Sequence, residues 1–207
     1  NGYLHLGHAY SALANADFAR RMGGRFLVRI EDIDVTRCRE DLVAASLEDL
    51  GWLGLAWEEP VLRQSAHFAR YRAVAADLEA EGLLYPCSCT RNDIAQAAGT
   101  NCPRDPDGAP VYPGTCRHLD AGTRAARRAS GQPFALRLDM TAAMARIGGR
   151  RFGWREVSGE RLEIETEIAA HPEKWGDVVL VRKEIPTSYH LSVVLDDALQ
   201  GVTHVVR

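Results

Sequence analysis

Residues 5–34 read HLGHAYSALANADFARRMGGRFLVRIEDID, and this stretch predicts a helix followed by a strand. The helix begins near His8, and the glycine pair at 23 and 24 ends it. The apolar run Phe26–Ile30 then predicts a buried strand. A helix and a buried strand joined by a short glycine turn are typical of an α/β fold.

The same alternation continues on both sides of a central segment. Two further helices are predicted in TRCREDLVAASLEDLG and in SAHFARYRAVAADLEAEG, and each ends at a glycine. DVVLVRK (177–183) and VTHVVR (202–207) predict strands that flank a helix capped at Thr187 or Ser188. We therefore expect a Rossmann-like, doubly wound parallel sheet formed by residues 1–84 and 177–207.

Residues 85–176 have a different character and predict an insertion into that sheet. Their first part is rich in Pro, Gly, Asp and Cys, with a short helix after Thr90 whose capping box Asp93 completes. FALRLD and RRFGWREV predict strands later in the segment. A stretch of about 20 residues without regular structure is unusual in a compact domain unless something holds it in place.

The composition limits the class of protein. With 207 residues, 46% of them hydrophobic, the chain can form a substantial core, which excludes general disorder. The net charge of −3 excludes a broadly basic nucleic-acid-binding coat. No apolar run is long enough to span a membrane, so no membrane partner is expected. Five cysteines, an odd number, favour a reducing compartment, and we expect a cytoplasmic monomer.

His5 and His8 lie where the first helix is predicted to begin. The free backbone N–H groups and the positive dipole of a helix N-terminus bind anions, and imidazole N–H groups add donors. Gly7 has no Cβ, so a ligand could approach the backbone closely. These features suit a nucleoside triphosphate, while the alternative is two surface or capping histidines in a loop.

Acidic residues follow the predicted strand in RIEDID, at the edge of the sheet where ligands bind in α/β folds. Glu31 could accept a charge-assisted hydrogen bond from an ammonium group, or it could belong to a solvated acidic turn. Tyr189 and Arg207 are predicted at the same edge and suit a carboxylate ligand. The alternative is a packed tyrosine and a surface arginine.

The insertion contains a candidate zinc site. Cys87, Cys89 and Cys116 flank the irregular segment, and zinc prefers four thiolate or imidazole ligands in a tetrahedron. A bound metal ion would also explain how such a segment is ordered. The alternative is a set of unrelated buried thiols. For the fourth ligand, His118 is the ordinary choice and Cys102 is a further candidate.

Three motifs in this order resemble one enzyme family. HLGH resembles the His-x-Gly-His signature of class I aminoacyl-tRNA synthetases, while RFLVRIEDID and SYHLSVVLDDALQGVTHVVR resemble segments of the glutamyl branch. The resemblance implies catalysis by His5 and His8, which bind the phosphates of Mg²⁺-ATP, with Gly7 beneath the nucleotide. It also implies a glutamate site formed by Glu31, Tyr189 and Arg207. For the zinc site it implies a tyrosine as fourth ligand, so that the set is Cys87, Cys89, Tyr112 and Cys116.

Two branches of this family are compatible with the motifs. Ordinary glutamyl-tRNA synthetases charge tRNA(Glu), whereas their shorter paralogues, the glutamyl-Q tRNA(Asp) synthetases, attach glutamate to the queuosine base of tRNA(Asp). Ile33, the Gln-Gly of LQGVTHVVR and the compact YPGTC segment favour the paralogues. A zinc- and nucleotide-binding module without catalysis is the alternative from another class.

A tRNA partner requires cationic contacts. The sequence offers arginines on a predicted helix of the insertion and after it, namely Arg124, Arg127, Arg128, Arg150 and Arg151. The family also has a first strand before the histidines and a mobile Lys-Met-Ser-Lys-Ser-type loop after the second half of the fold. Neither is found in this sequence, so we expect it to be part of a longer chain.

Overall fold

The computed structural model describes residues 2–159 and 163–206. The chain divides into two compact units, one formed by the residues up to Arg72 with those from Ile185 onward, the other by Ala73–Glu184. Within the described ranges, no helix combines the length and the apolar character that crossing a membrane would need.

The helices follow the sequence pattern closely. In the described part of the chain they are α1 (Leu6–Arg21), α2 (Glu40–Trp52), α3 (Phe68–Ala80), α4 (Arg91–Ala98), α5 (Ala121–Ala129), α6 (Met140–Arg146) and α7 (Tyr189–Gln200). The predicted capping box of α4 is confirmed, because Thr90 and Asp93 each accept a hydrogen bond from the other's backbone N–H. Ser188 caps α7, and it is one of the two cap residues, Thr187 or Ser188, that the sequence predicts.

The strands are short. They are β1 (Arg29–Ile30), β2 (Leu62–Arg63), β3 (Leu84–Cys87), β4 (Ala135–Leu138), β5 (Gly153–Ser158), β6 (Ile164–Ala169) and β7 (Val179–Val181). β1 and β2 pair in parallel, with Arg29 opposite Leu62. In the second unit, β3, β4 and β7 form an antiparallel sheet in that order, and β5 and β6 form an exposed antiparallel hairpin.

The prediction of an extended parallel sheet needs correction. Parallel pairing among the described residues is confined to β1 and β2, and residues 202–206 form no strand. β7, predicted to resume the parallel sheet, pairs antiparallel with β4 instead. A short apolar run such as VVLV is typical of a buried parallel strand, but by itself it does not specify the direction of the partner strand.

The boundaries between the units differ from those expected from composition. The compact division falls after Arg72 and after Glu184, whereas the sequence suggested 84/85 and 176/177. β7 explains the difference at the second boundary, because it pairs with β4 inside the second unit. The first boundary falls within α3, before β3 begins.

Buried hydrogen-bonded polar groups connect the elements of the first unit. Asp32, directly after β1, is 2% exposed and accepts hydrogen bonds from Arg63 and from the backbone and hydroxyl of Ser65. Burial raises the pKa of the Asp32 carboxyl, but these hydrogen bonds outweigh it and hold the pKa below its ordinary value. The acidic turn is therefore anchored to the segment after β2.

Candidate active site and candidate metal centre

The two histidines of HLGH form the N-terminal cap of α1. His5 is the N-cap residue, and its Nδ1 accepts a hydrogen bond from the Gly7 backbone N–H at 3.1 Å. The His5 backbone N–H in turn donates to Nδ1 of His8 at 3.1 Å. The imidazole rings lie against each other, with centroids 3.9 Å apart. The cap is thus a reciprocal capping box made of histidines.

This cap determines which ring nitrogen of each neutral histidine holds the proton. Each Nδ1 accepts from a backbone N–H, so each neutral ring must carry its proton on Nε2. Both side chains are exposed, which leaves the two Nε2–H groups available as donors. Two oriented neutral donors at a helix N-terminus form an arrangement that can bind a phosphate group.

Gly7 leaves room for this cap. A Cβ at position 7 would lie 3.0 Å from Cε1 and 3.2 Å from Nδ1 of the His5 ring, closer than a relaxed contact. The glycine therefore lets the His5 imidazole fold over the backbone that it caps. This reason differs from the predicted one, which concerned the approach of a nucleotide, and the two reasons are compatible.

A cavity of about 300 Å³ brings His8 and Glu31 to one site in the first unit. Its other walls come from the segment before α1, from β1 and from one face of α2, including Leu4, Ile30 and Leu47. Glu31 is half exposed and accepts hydrogen bonds from Arg29 at 3.2 and 3.4 Å. A carboxylate at a cavity wall can receive an ammonium group.

Arg29, which the sequence places at the end of the predicted strand without a role, connects this cavity wall to α7. Its Nη1 donates to Asp197 at 2.6 Å and to Gln200 at 3.3 Å, while its other nitrogens contact Glu31. Only 16% of the Arg29 side chain is exposed. A charged residue inside an otherwise apolar strand is the signal that could have identified it.

The other two predicted glutamate-binding residues are not assembled with Glu31 by the described part of the structure. Tyr189 is the first residue of α7, its side chain is half exposed, and it does not line the cavity. Arg207 lies outside the described residues. The roles of both residues therefore stay predictions.

The second unit brings together the four predicted zinc ligands. The Sγ atoms of Cys87, Cys89 and Cys116 lie within 4.8 Å of one another. The Tyr112 hydroxyl lies 3.4 Å from Cys87 Sγ and 3.6 Å from Cys89 Sγ, and it accepts a hydrogen bond from the Cys116 backbone N–H at 2.9 Å. Three thiols and a phenol converging at these distances form a donor set of the size and chemistry that zinc requires.

The other two candidate ligands lie elsewhere. His118 is exposed and Cys102 is partly buried, and neither joins the metal-ligating cluster found among the described residues. Tyr112, by contrast, is 8% exposed and belongs to the core of the second unit with Tyr85, Cys87 and Cys116. The ligand atoms are thus at the centre of this unit, and a metal ion there would crosslink its β3 end to the irregular segment.

The surroundings of the cluster shift the pKa values of two of its thiols in opposite directions. Burial raises the pKa of the Cys89 thiol to about 11. Burial also acts on Cys116, but hydrogen bonds from Tyr112 and Cys89 outweigh it and lower the pKa of that thiol. A metal ion binds thiolates, so its binding would release the remaining protons.

The arginines of α5 each have a partner inside the second unit. Arg124 donates to the Arg117 carbonyl, and Arg128 pairs with Glu79 and lies over the Phe134 ring. Arg127 donates to Ser88 Oγ at 3.2 Å and contacts Cys116 Sγ at 3.6 Å. A tRNA contact by these arginines, or by the exposed Arg150 and Arg151, stays a prediction.

Comparisons with known proteins identify the family. A family model described as "tRNA synthetases class I (E and Q), catalytic domain" matches residues 1–207. The glutamyl-Q tRNA(Asp) synthetase of Rhodobacter capsulatus is 49% identical over 212 residues, covering 100% of this chain and 72% of that protein. The protein of that name from Symbiobacterium thermophilum is 39% identical, with 62% of its length covered.

More distant relatives agree on the fold. The glutamate–tRNA ligase of Aquifex aeolicus is 37% identical over 207 residues, with 40% of its length covered. A crystal structure of a glutamate tRNA ligase from Elizabethkingia meningosepticum superposes with a TM-score of 0.70 at 22% identity, covering 98% of this chain and 41% of that one. The predicted class I synthetase fold is thereby confirmed, and the chain belongs to the class I tRNA synthetases of the E and Q group.

Proposed function

We propose that this chain is the catalytic part of a glutamyl-Q tRNA(Asp) synthetase. In this reaction, ATP activates L-glutamate to glutamyl-adenylate, and the glutamyl group passes to the queuosine base at the wobble position of tRNA(Asp). Two relatives of that name, at 49% and 39% identity across the whole chain, support the assignment. The chain spans only 72% and 62% of their lengths, so the complete reaction is proposed for the whole protein.

The observation that supports this function best is the shared cavity of His8 and Glu31. The Nε2–H groups of His5 and His8 would donate to the phosphates of Mg²⁺-ATP and stabilise the charge that builds up as pyrophosphate leaves. Glu31 would bind the glutamate ammonium group and hold the substrate carboxylate for attack on the α-phosphate. Positioning and electrostatics suffice, because the substrate itself supplies the nucleophile.

The role that we propose for the second unit is structural. Cys87, Cys89, Cys116 and Tyr112 would hold a zinc ion, which would stabilise the irregular segment by crosslinking it. This unit would also contact the tRNA through exposed arginines such as Arg150 and Arg151. We further propose a cytoplasmic monomer, and the odd number of cysteines supports a reducing compartment.

Pyrophosphate exchange and tRNA charging test the proposal. The whole protein should catalyse glutamate-dependent ATP–pyrophosphate exchange without tRNA, and it should glutamylate tRNA(Asp) with queuosine but not tRNA(Asp) without it. Substitution Arg207→Ala should abolish the exchange, and undiminished exchange would remove Arg207 from the glutamate site.

An ordinary glutamyl-tRNA synthetase is the second candidate, because the Aquifex glutamate–tRNA ligase also matches the whole chain. Exchange that requires tRNA, together with charging of tRNA(Glu), would establish this candidate instead. Binding of nucleotide and zinc with no exchange under any condition would identify a non-catalytic module.

A further inference from the structure

Two arginines that bind no carboxylate lie against the candidate metal centre. Arg127 on α5 places Nη1 3.6 Å from Cys116 Sγ, and Arg137 on β4 places its guanidinium carbon 4.0 Å from the centroid of the Tyr112 ring. Neither guanidinium forms an ion pair among the residues that the structure describes, whereas Arg117 pairs with Asp177 and Arg128 with Glu79 in the same unit. Their positive charge is therefore not neutralised locally.

The charge of the ligand set explains why cations belong there. Three thiolates and one phenolate around a divalent ion leave a net charge of about −2 on the complex. The centre is in the core of the second unit, where Cys87 and Cys116 are each 1% exposed and water cannot screen that charge. Two guanidinium groups at these positions supply the opposite charge.

We propose that Arg127 and Arg137 are positioning residues of the metal centre, which neutralise the loaded ligand set and thereby strengthen its hold on zinc. Arg127 also donates to Ser88 Oγ within the Cys87–Cys89 loop, and Lys183 donates to the Ser88 carbonyl at 2.9 Å, so cations hold that loop from two directions. Arg137 is fixed by a hydrogen bond to the Asp177 carbonyl at 2.8 Å, while its Nε is buried without a partner. The contact of this guanidinium with the face of the Tyr112 ring offsets that cost, and the ring would carry negative charge only as a zinc ligand.

This inference rests on the proposed zinc site. It also gives Arg127 a role other than the predicted contact with tRNA. The test is competition for Zn²⁺ between the full chain and a chromogenic chelator, with Co²⁺ absorption spectra to verify the ligand set. Arg127→Gln and Arg137→Gln should each weaken zinc binding about tenfold, and the double variant about 100-fold. Arg128→Gln is the matched control, because its side chain lies on the same helix but points to Glu79 and Phe134.

Lysine variants separate charge from packing and from a failure to fold. Arg127→Lys and Arg137→Lys keep the positive charge and should retain most of the affinity, with unchanged Co²⁺ spectra. If the glutamine variants match the control, or if the lysine variants are as weak as the glutamine variants, charge neutralisation is wrong. If the unaltered chain binds no zinc, the proposed zinc site and this inference are both wrong.

Discussion

The histidine cap of α1 and the cysteine cluster of the second unit are built in opposite ways. The histidine cap lies at the surface, and its hydrogen bonds join residues two and three positions apart. The cluster lies in a core, and its ligands are brought together from positions up to 29 apart, Cys87 to Cys116. The first site is thus separable from the stability of the fold, whereas the second is part of it.

The largest expected effect follows from removing a buried ligand. Cys116→Ser should abolish stoichiometric zinc binding and destabilise the second unit, because structural zinc contributes about 10 kcal/mol to small metal-dependent domains. Metal analysis of the purified chain and thermal unfolding with and without Zn²⁺ would measure both effects. Cys102→Ser is the control outside the cluster, and equal zinc loss in both variants would contradict the ligand assignment.

At the histidine cap, a substitution should reduce activity and leave stability nearly unchanged. In His5→Asn the new side chain can still cap α1, because asparagine is a favourable N-cap residue, but the Nε2 donor is lost. Pyrophosphate exchange should fall about 100-fold while the unfolding temperature stays within a few degrees. A fall in unfolding temperature comparable to that of Cys116→Ser would show that the histidine cap, too, is part of the core stability.

The identity of the fourth ligand sharpens the comparison further. Tyr112→Phe keeps the packed ring and removes the oxygen near Cys87 and Cys89, so zinc affinity should fall roughly tenfold to 100-fold. His118→Ala removes an exposed side chain and should leave the affinity unchanged. Zinc competition with a chelator decides between them, and loss confined to the His118 variant would reverse the assignment.

A smaller effect on stability is expected at Asp32, a buried carboxylate of the first unit. Asp32→Asn should cost about 2 kcal/mol of unfolding free energy at neutral pH, because the hydrogen bonds from Arg63 and Ser65 lose their charge. Since the pKa of Asp32 is lowered by folding, the carboxylate stabilises the fold above about pH 4, and this contribution is lost as the pH falls through the lowered value.

Denaturant unfolding at pH 7 and at pH 3 would test this, with Asp41→Asn as the control. Asp41 pairs with Arg39 on the surface, where solvent screens the pair, so its substitution should change stability little. The difference between the Asp32 variant and the unaltered chain should shrink at the lower pH. Added zinc should not restore the stability that Asp32→Asn loses, whereas it would act on a defect in the second unit. If the difference in unfolding free energy does not depend on pH, the Asp32 carboxylate is not its cause.

The N-terminal cap of α4 and the C-terminal end of α1 were predictable because their signals are local. The capping box of Thr90 and Asp93 and the glycine stop of α1 depend on neighbours within one helical turn, and each formed as predicted. The direction of β7 was not predictable, because a strand's partner is chosen by the whole unit and its own side chains fit either ladder.

By itself, the sequence determined every described α-helix except α6, the spacing of His5, Gly7 and His8, and the set of candidate ligands that includes Tyr112 and His118. The tertiary structure alone decided which of those two lies beside the thiols, and that Arg127 and Arg137 face the same cluster. The physical reason is that spacing along the chain fixes contacts only within a turn of a helix. Contacts between distant residues depend on how the core packs around them.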